Sequence, residues 1–262
     1  FSIFRFKTKL ILRISGKPKF NFFRSIIWKL CSKNIYKIFC PTEATKEYLI
    51  KNKIFNEEKL FLVKDPVFHL KEIKKNRNSQ EIEDKDFEED NIILVGRLTK
   101  QKNFNLIIDA INLNPKLYEG LKIFIFGEGE LRPELEKKIR TNNLEKKIYI
   151  KGYIGNIYKY LKKSKLFIQT SLWEDPGFVL VEAGLSNLSV LSSNCPNGPK
   201  EILKNGDAGY LFENNDPKSL NLELKKFLEE DDKKIYQKKV LLKRNIKDYS
   251  LFNHFLSFEK NL

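Results

Sequence analysis

The sequence predicts an α/β protein built on a Rossmann-like, doubly wound parallel sheet, and three observations predict it. From Asn91 onward, short and nearly continuous apolar runs alternate with segments of helical period. The runs are rich in Ile, Val, Leu and Phe, as strands buried on both faces must be. Acids, cations and glycines gather just after the runs, where ligands of such sheets bind.

Taken in order, Leu10–Ile14 is a short apolar run, and Phe20–Lys33 repeats apolar residues at Phe23, Ile26, Ile27 and Leu30, a helical spacing. Tyr36–Cys40 is a strand stopped by Pro41; Thr42 caps a helix through Thr45–Lys51, and Lys59–Val63 is a third strand. The stretch 71–90, KEIKKNRNSQEIEDKDFEED, is poor in apolar residues and reads as a solvated connector. Then come strands Ile92–Val95, Lys122–Phe126, Ile148–Ile150, Leu166–Gln169, Leu188–Ser192 and Ala208–Phe212. Helices fill the intervals at Phe104–Leu113, Leu131–Arg140, Ile157–Lys162, Gly177–Leu185 and Pro199–Leu203. Three more, Pro217–Leu228, Lys234–Asn245 and Leu251–Lys260, close the chain.

With 262 residues, 41% of them hydrophobic, the chain can bury a core without external staples. No apolar run reaches bilayer length and no signal peptide is visible. Cys31, Cys40 and Cys195 lack metal-ligand spacing and read as free thiols of a reducing, cytoplasmic compartment. His69 and His254 stand apart from any triad or metal pattern. The chain contains no methionine and opens on Phe1, which reads as a fragment lacking its natural start, N-terminal processing being the alternative. The net charge is +15, and residues 1–64 hold fifteen Lys/Arg against four Asp/Glu. Such a surface suits an anionic lipid headgroup, nucleic acid or an anionic substrate, although a Lys-, Asn- and Ile-rich composition explains part of it.

Three strand-end loops carry candidate chemistry. After the first strand of the second half, Gly96-Arg97 and Lys102 precede a helix N-terminus: a bidentate fork, a mobile cation and unpaired amides suit a diphosphate. A basic surface loop is the plain alternative. After the second, Gly127-Glu128-Gly129 fails as a dinucleotide fingerprint because Arg132 holds the third glycine position, yet it permits close backbone approach. No kinase-type phosphate loop occurs. After the fourth comes SLWEDPGFVLVEA, 171–183. Here Glu174 lies in the loop, and Glu182 sits inside an apolar helix where a carboxylate is out of place without hydroxyl partners. The amides of Gly177, Phe178 and Val179 start that helix, a natural phosphate seat. The plain alternative is a semi-buried Glu182 and a solvated Glu174. The turn Asn194–Gly198 reads as a wall of the site and Cys195 as an incidental thiol.

Together, Gly-Arg-Leu…Lys-Asn, Gly-Glu-Gly and Glu-x7-Glu followed by Ala resemble the C-terminal domain of family 4 retaining glycosyltransferases over roughly 91–230. The resemblance implies the GT-B fold: an incomplete acceptor-side domain at 1–70, a connector at 71–90, a donor domain at 91–245, and a C-terminal helix, 246–262, returning to the first domain. It implies that Arg97 and Lys102 hold the donor diphosphate and that Glu174, with them, serves the transfer by contacting the moving sugar. Glu182 would bind the ribose hydroxyls, Gly177 to Val179 the distal phosphate, and Gly152 and Tyr153 would lie by the base, with Gly96 and Gly127 beside the donor. The expected partners are a nucleoside diphosphate sugar, a glycan or lipid-linked acceptor of bacterial surface-glycan assembly, and an anionic inner membrane face. No metal, other cofactor or nucleic acid is expected. A nucleotide-sugar epimerase of similar architecture and a basic nucleic-acid- or membrane-binding protein are the rival readings.

Overall fold

The computed structural model describes residues 8–69, 87 and 91–262. Two parallel sheets organise it. The smaller contains β1 (Leu10–Arg13), β2 (Ile35–Cys40) and β3 (Leu60–Leu62), in that spatial order. Between them run α1 (Phe22–Ser32), capped by the Asn21 side chain on the Arg24 amide, and α2 (Glu43–Lys51), capped by Thr42 on the Thr45 amide. Ile14, Ile38, Leu49 and Leu60 form its core. Helix α1 buries no residue fully; Phe22, Phe23, Ile27 and Leu30 are exposed. Lys59 belongs to a 3-10 turn, Glu57–Lys59, that Asn56 caps, so β3 starts one residue later than expected.

The larger sheet holds β4 (Ile92–Val95), β5 (Ile123–Phe126), β6 (Ile148–Gly152), β7 (Leu166–Gln169), β8 (Ser189–Ser193) and β9 (Tyr210–Phe212). Its order is β6-β5-β4-β7-β8-β9, all parallel. This is the doubly wound order, and chain direction across the sheet reverses between β4 and β7. The strand pleat sorts neighbours to opposite faces. Ile92, Leu94, Ile123 and Ile125 meet α3 (Asn105–Leu113), α4 (Arg132–Thr141) and α8 (Pro217–Glu229). Ile93, Phe124, Phe126 and Phe167 meet α5 (Tyr158–Lys163), α6 (Phe178–Leu185) and α9 (Asp232–Asn245). Both faces are buried, which is why the strands carry no polar alternation. Helix α7 (Pro199–Ile202) follows β8, and α10 (Leu251–Lys260) ends the chain.

The expected connector lies outside the described residues except at Phe87, and there the solvated reading is corrected. Phe87 is buried, its ring 4.9 Å from both Phe124 and Tyr160. An aromatic ring gains too much by leaving water to stay out of a neighbouring apolar face, even inside an acidic run.

The chain passes twice between the sheets, and the passages pair. The Val67 amide donates to the Tyr249 carbonyl at 2.8 Å, and the Leu251 amide to Phe68 at 2.9 Å. Helix α10 then lies on the small sheet, with Phe258 against Phe39 at 5.3 Å and Lys37 Nζ donating to the Asn261 carbonyl at 2.6 Å. Phe252 and Phe255 on the same helix stay exposed. His254 contacts the Lys64 carbonyl through Nδ1 at 2.7 Å, a structural role. No helix among the described residues is long and apolar enough to cross a membrane.

Candidate functional site

The crevice of a doubly wound sheet opens where the strand order reverses, here at the carboxyl ends of β4 and β7. The loops that leave those two strands are stitched together. The Leu172 amide donates to the Gln101 carbonyl at 2.8 Å, Thr170 Oγ1 to the Lys102 carbonyl at 2.8 Å, and Gln101 Nε2 to the Trp173 carbonyl at 2.9 Å. The stitching aims Lys102 at Glu174: Nζ lies 2.6 Å from Oε1, which also accepts from Ser171 Oγ at 2.5 Å. Glu174 is only 4% exposed, so the solvated alternative is corrected: a buried carboxylate needs a cation and a hydroxyl, and this loop supplies both.

A cavity of about 940 Å³ opens beside this pair. Gly96, Arg97, Lys102 and Glu174 line one side. Gly177, Phe178 and Val179 line another, at the start of α6. Gly177 is the N-cap, so the first-turn amides of Phe178 and Val179 have no preceding helical carbonyl to bond. Arg97 is exposed and engages no carboxylate among the described residues. The site thus presents Arg97, the paired Lys102 and a helix start to the same space, an arrangement that stabilises clustered negative charge.

Two more of the expected glycines continue along the strand ends without lining this cavity. The Gly96 amide donates to the Phe126 carbonyl at 2.9 Å, and the Gly127 amide to Gly152 at 2.8 Å. Tyr153, just past β6, is exposed. Glu182 lies inside α6, one turn beyond Phe178 and outside the cavity lining, and burial pushes its carboxyl up to about 7. The sign follows. A folded-state value above the unfolded one means that the native state holds the extra proton between roughly pH 4.5 and 7, so stability is lost as pH rises through that window. Melting Glu182→Gln against the parent at pH 5 and pH 8 is expected to show near-equal stability at pH 5. At pH 8 the variant gains roughly 2–3 kcal/mol. An equal gain at both pH values would disprove the assignment.

Sequence reasoning missed the small-sheet side of the cavity, Gly16, Lys17 and Lys19. They directly follow β1, and the carboxyl-end rule, applied to the short sheet as well, marks them. It also missed Asp175, whose Oδ1 accepts from the Gly16 amide at 2.9 Å and so ties the two sheets together at the site. Burial raises the Asp175 carboxyl above its ordinary value, against the lowering by its bonds to Ser15 and Gly16. The Asp175–Pro176 peptide is cis. Burial pushes the Cys195 thiol to about 12 and the Cys40 thiol to about 11, so both stay protonated and neither is a nucleophile near neutrality.

Comparison with known proteins bears on the family and the fold. Residues 73–244 match the family described as glycosyl transferases group 1. A Campylobacter jejuni N-acetylgalactosamine-N,N'-diacetylbacillosaminyl-diphospho-undecaprenol 4-alpha-N-acetylgalactosaminyltransferase is 28% identical over 242 residues, covering 89% of this chain and 64% of that protein. The amylovoran biosynthesis glycosyltransferase AmsD of Erwinia amylovora is 30% identical over 216 residues, covering 80% and 58%. The chain therefore spans less than two thirds of the length of these curated relatives. Among solved structures, Anabaena HepE in complex with UDP superposes with a TM-score of 0.80 at 16% identity, over 96% of this chain and 71% of that one, a likeness of fold. With its parallel sheets, its crevice at the strand reversal and the family match over most of its length, the chain belongs to the group 1 glycosyltransferases.

Proposed function

We propose that this chain binds a nucleoside diphosphate sugar in the 940 Å³ cavity and delivers the sugar, with retention at the anomeric carbon, to a hydroxyl of a glycan or lipid-linked acceptor. One observation carries the reading: Arg97, Lys102 and the first turn of α6 converge on one space beside the carboxylate of Glu174. In this reading Arg97 and Lys102 neutralise the diphosphate as it leaves, an electrostatic contribution that commonly dominates transfer of this kind. The amides of Phe178 and Val179 hold the distal phosphate, and Glu174 orients the sugar. Glu182 accepts from the ribose diol, and the glycine rail Gly96, Gly127, Gly152 gives the nucleoside a path along the strand ends toward Tyr153. Lys17 and Lys19 face the donor from the small sheet and screen its charge. The chain's own cations suffice for this task, so the reading calls for no metal. The named relatives act on undecaprenyl-linked glycan or in amylovoran biosynthesis, and a surface-glycan acceptor fits this chain by analogy.

Titration calorimetry of the full chain with UDP and UDP-sugars tests the donor assignment. The parent is expected to bind, and Glu182→Ala to weaken affinity at least about tenfold, the loss of charge-assisted bonds to a diol. Unchanged affinity in the variant would sink the assignment of Glu182. A UDP-sugar epimerised on the nucleotide during incubation would sink the transferase reading in favour of an epimerase.

A further inference from the structure

Helix α1 turns its apolar stripe away from the protein. Its least exposed residues, Ser25, Trp28, Cys31 and Ser32, recur at helical spacing, and through Trp28 that side meets the small core, at 5.5 Å from Phe55 and 6.2 Å from Phe20. Phe22, Phe23, Ile26, Ile27 and Leu30 occupy the opposite side and are exposed, Phe22 and Phe23 by 74% and 76%. A surface helix of a globular protein ordinarily does the reverse. Helix α10 also exposes Phe252 and Phe255, but it packs on the other face of the small sheet, through Phe39, whereas α1 lies on the face of Ile38 and Cys40.

Cations rim the stripe. Arg24 stands at one edge and Lys29 and Lys33, one turn apart, at the other, all three exposed. From Lys9 to Thr42 the chain carries eight Lys/Arg and no Asp or Glu, so whatever covers the stripe must supply anions as well as apolar surface. A second copy in an isologous contact would set like charges together. Nucleic acid would engage the cations and give Ile26, Ile27 and Leu30 nothing apolar to bury against. An anionic bilayer surface meets both demands, acyl chains for the stripe and phosphates for the cations. With 11 residues α1 is too short to span a bilayer and long enough to lie along one. Its stripe also starts near the crevice: Lys19 lines the 940 Å³ cavity, and the chain from there to Phe22 reaches at most about 11 Å. We propose that α1 seats this chain on an anionic phospholipid bilayer, its stripe among the upper acyl chains and Arg24, Lys29 and Lys33 at the phosphates, with the crevice beside the membrane. This goes beyond donor binding and does not depend on it.

Flotation of the full chain with vesicles of phosphatidylcholine alone, and of an equal mixture of phosphatidylcholine and phosphatidylglycerol, tests the proposal. The parent is expected to float with the anionic vesicles and to partition at least about tenfold less onto the neutral ones. Phe23→Ser with Ile27→Ser lowers partition onto the anionic vesicles at least about tenfold at an unchanged melting temperature. Lys29→Gln with Lys33→Gln lowers it about thirtyfold and flattens its salt dependence. Phe252→Ser with Phe255→Ser on α10 floats as the parent does. A parent that floats with neither vesicle overturns the proposal. So does binding that survives both α1 variants, or that the α10 variant abolishes. Should the apolar variant melt early, the lysine variant decides alone. A lipid-free dimer in sedimentation that Phe23→Ser with Ile27→Ser breaks apart assigns the stripe to a second copy and overturns the membrane seat. Loss of UDP binding in the parent, with flotation intact, overturns the donor reading and leaves this one standing.

Discussion

Replacing Lys102 with alanine is expected to produce the largest combined loss of stability and ligand affinity in this chain. The variant leaves Glu174, almost wholly buried, with Ser171 as the sole remaining partner of its carboxylate among the described residues. Breaking a buried ion pair by removing one member costs about 3–5 kcal/mol, because the survivor keeps its desolvation penalty and loses its counter-charge. For a chain of this length each kcal/mol moves the melting temperature by about 2–4 °C, so a drop of about 10 °C is expected in a thermal melt at pH 7.5. Affinity for UDP falls as well, since Lys102 also lines the cavity. The double variant Lys102→Met, Glu174→Gln separates the two effects. With both charges gone no buried charge is left alone, and most of the stability returns. Affinity for UDP does not. A double variant that regains both would show that Lys102 supports the loop and leaves the diphosphate alone.

Gly127→Ala is expected to be comparably damaging for a different reason. Gly127 follows β5 with φ at +146°, and an added Cβ would lie 1.8 Å from the Gly96 carbonyl oxygen. That oxygen is backbone, fixed by the adjoining β4–β5 ladder, so neither partner can move without breaking sheet hydrogen bonds. Backbone strain and overpacking together are expected to remove roughly 3 kcal/mol or more. Gly155→Ala is the control: nothing lies within 4 Å of its Cβ and its φ is unremarkable, so a change within about 0.5 kcal/mol is expected. Chemical denaturation of both variants reads the difference directly. Equal midpoints would mean that the close approach of the β4 and β5 ends is not a tight one.

Much of the fold was legible because each strand of the large sheet is a short apolar word bounded by glycine or a polar turn. Ile92–Val95, Leu166–Gln169 and the start of α6 were placed within a residue. Sheet order was legible only as a class, since pairing of β4 with β7 is a long-range event that no local pattern encodes. In the site, Arg97, Lys102, Glu174 and the α6 amides could be grouped in advance because one rule, strand carboxyl ends, selects them all. The environment of Glu174 could not. Its burial depends on Lys102, 72 residues earlier, reaching it across two loops. Phe87 was hidden by the charge around it. It acquires meaning only when a distant element, the α5 side of the sheet, arrives beside it.

The pairing of residues 67 and 68 with 249 to 251 has a mechanical consequence. Two covalent passages between lobes usually fix a distance and a direction independently. Here they are laced into one narrow ribbon, so the two passages join the lobes along a single line and act as one connection. Away from that ribbon, exchangeable polar bonds join the lobes, Gly16 to Asp175 and Glu43 to Glu201, and Lys64 to Asp248 adds one beside the ribbon itself. Each can be traded for water at a net expense of about 0.5–1.5 kcal/mol. The apolar cores lie within the lobes, and polar bonds supply much of the contact between them. Lys17 and Lys19 come from one lobe and Arg97 from the other, so the positive charge of the crevice is assembled only when the two lobes meet.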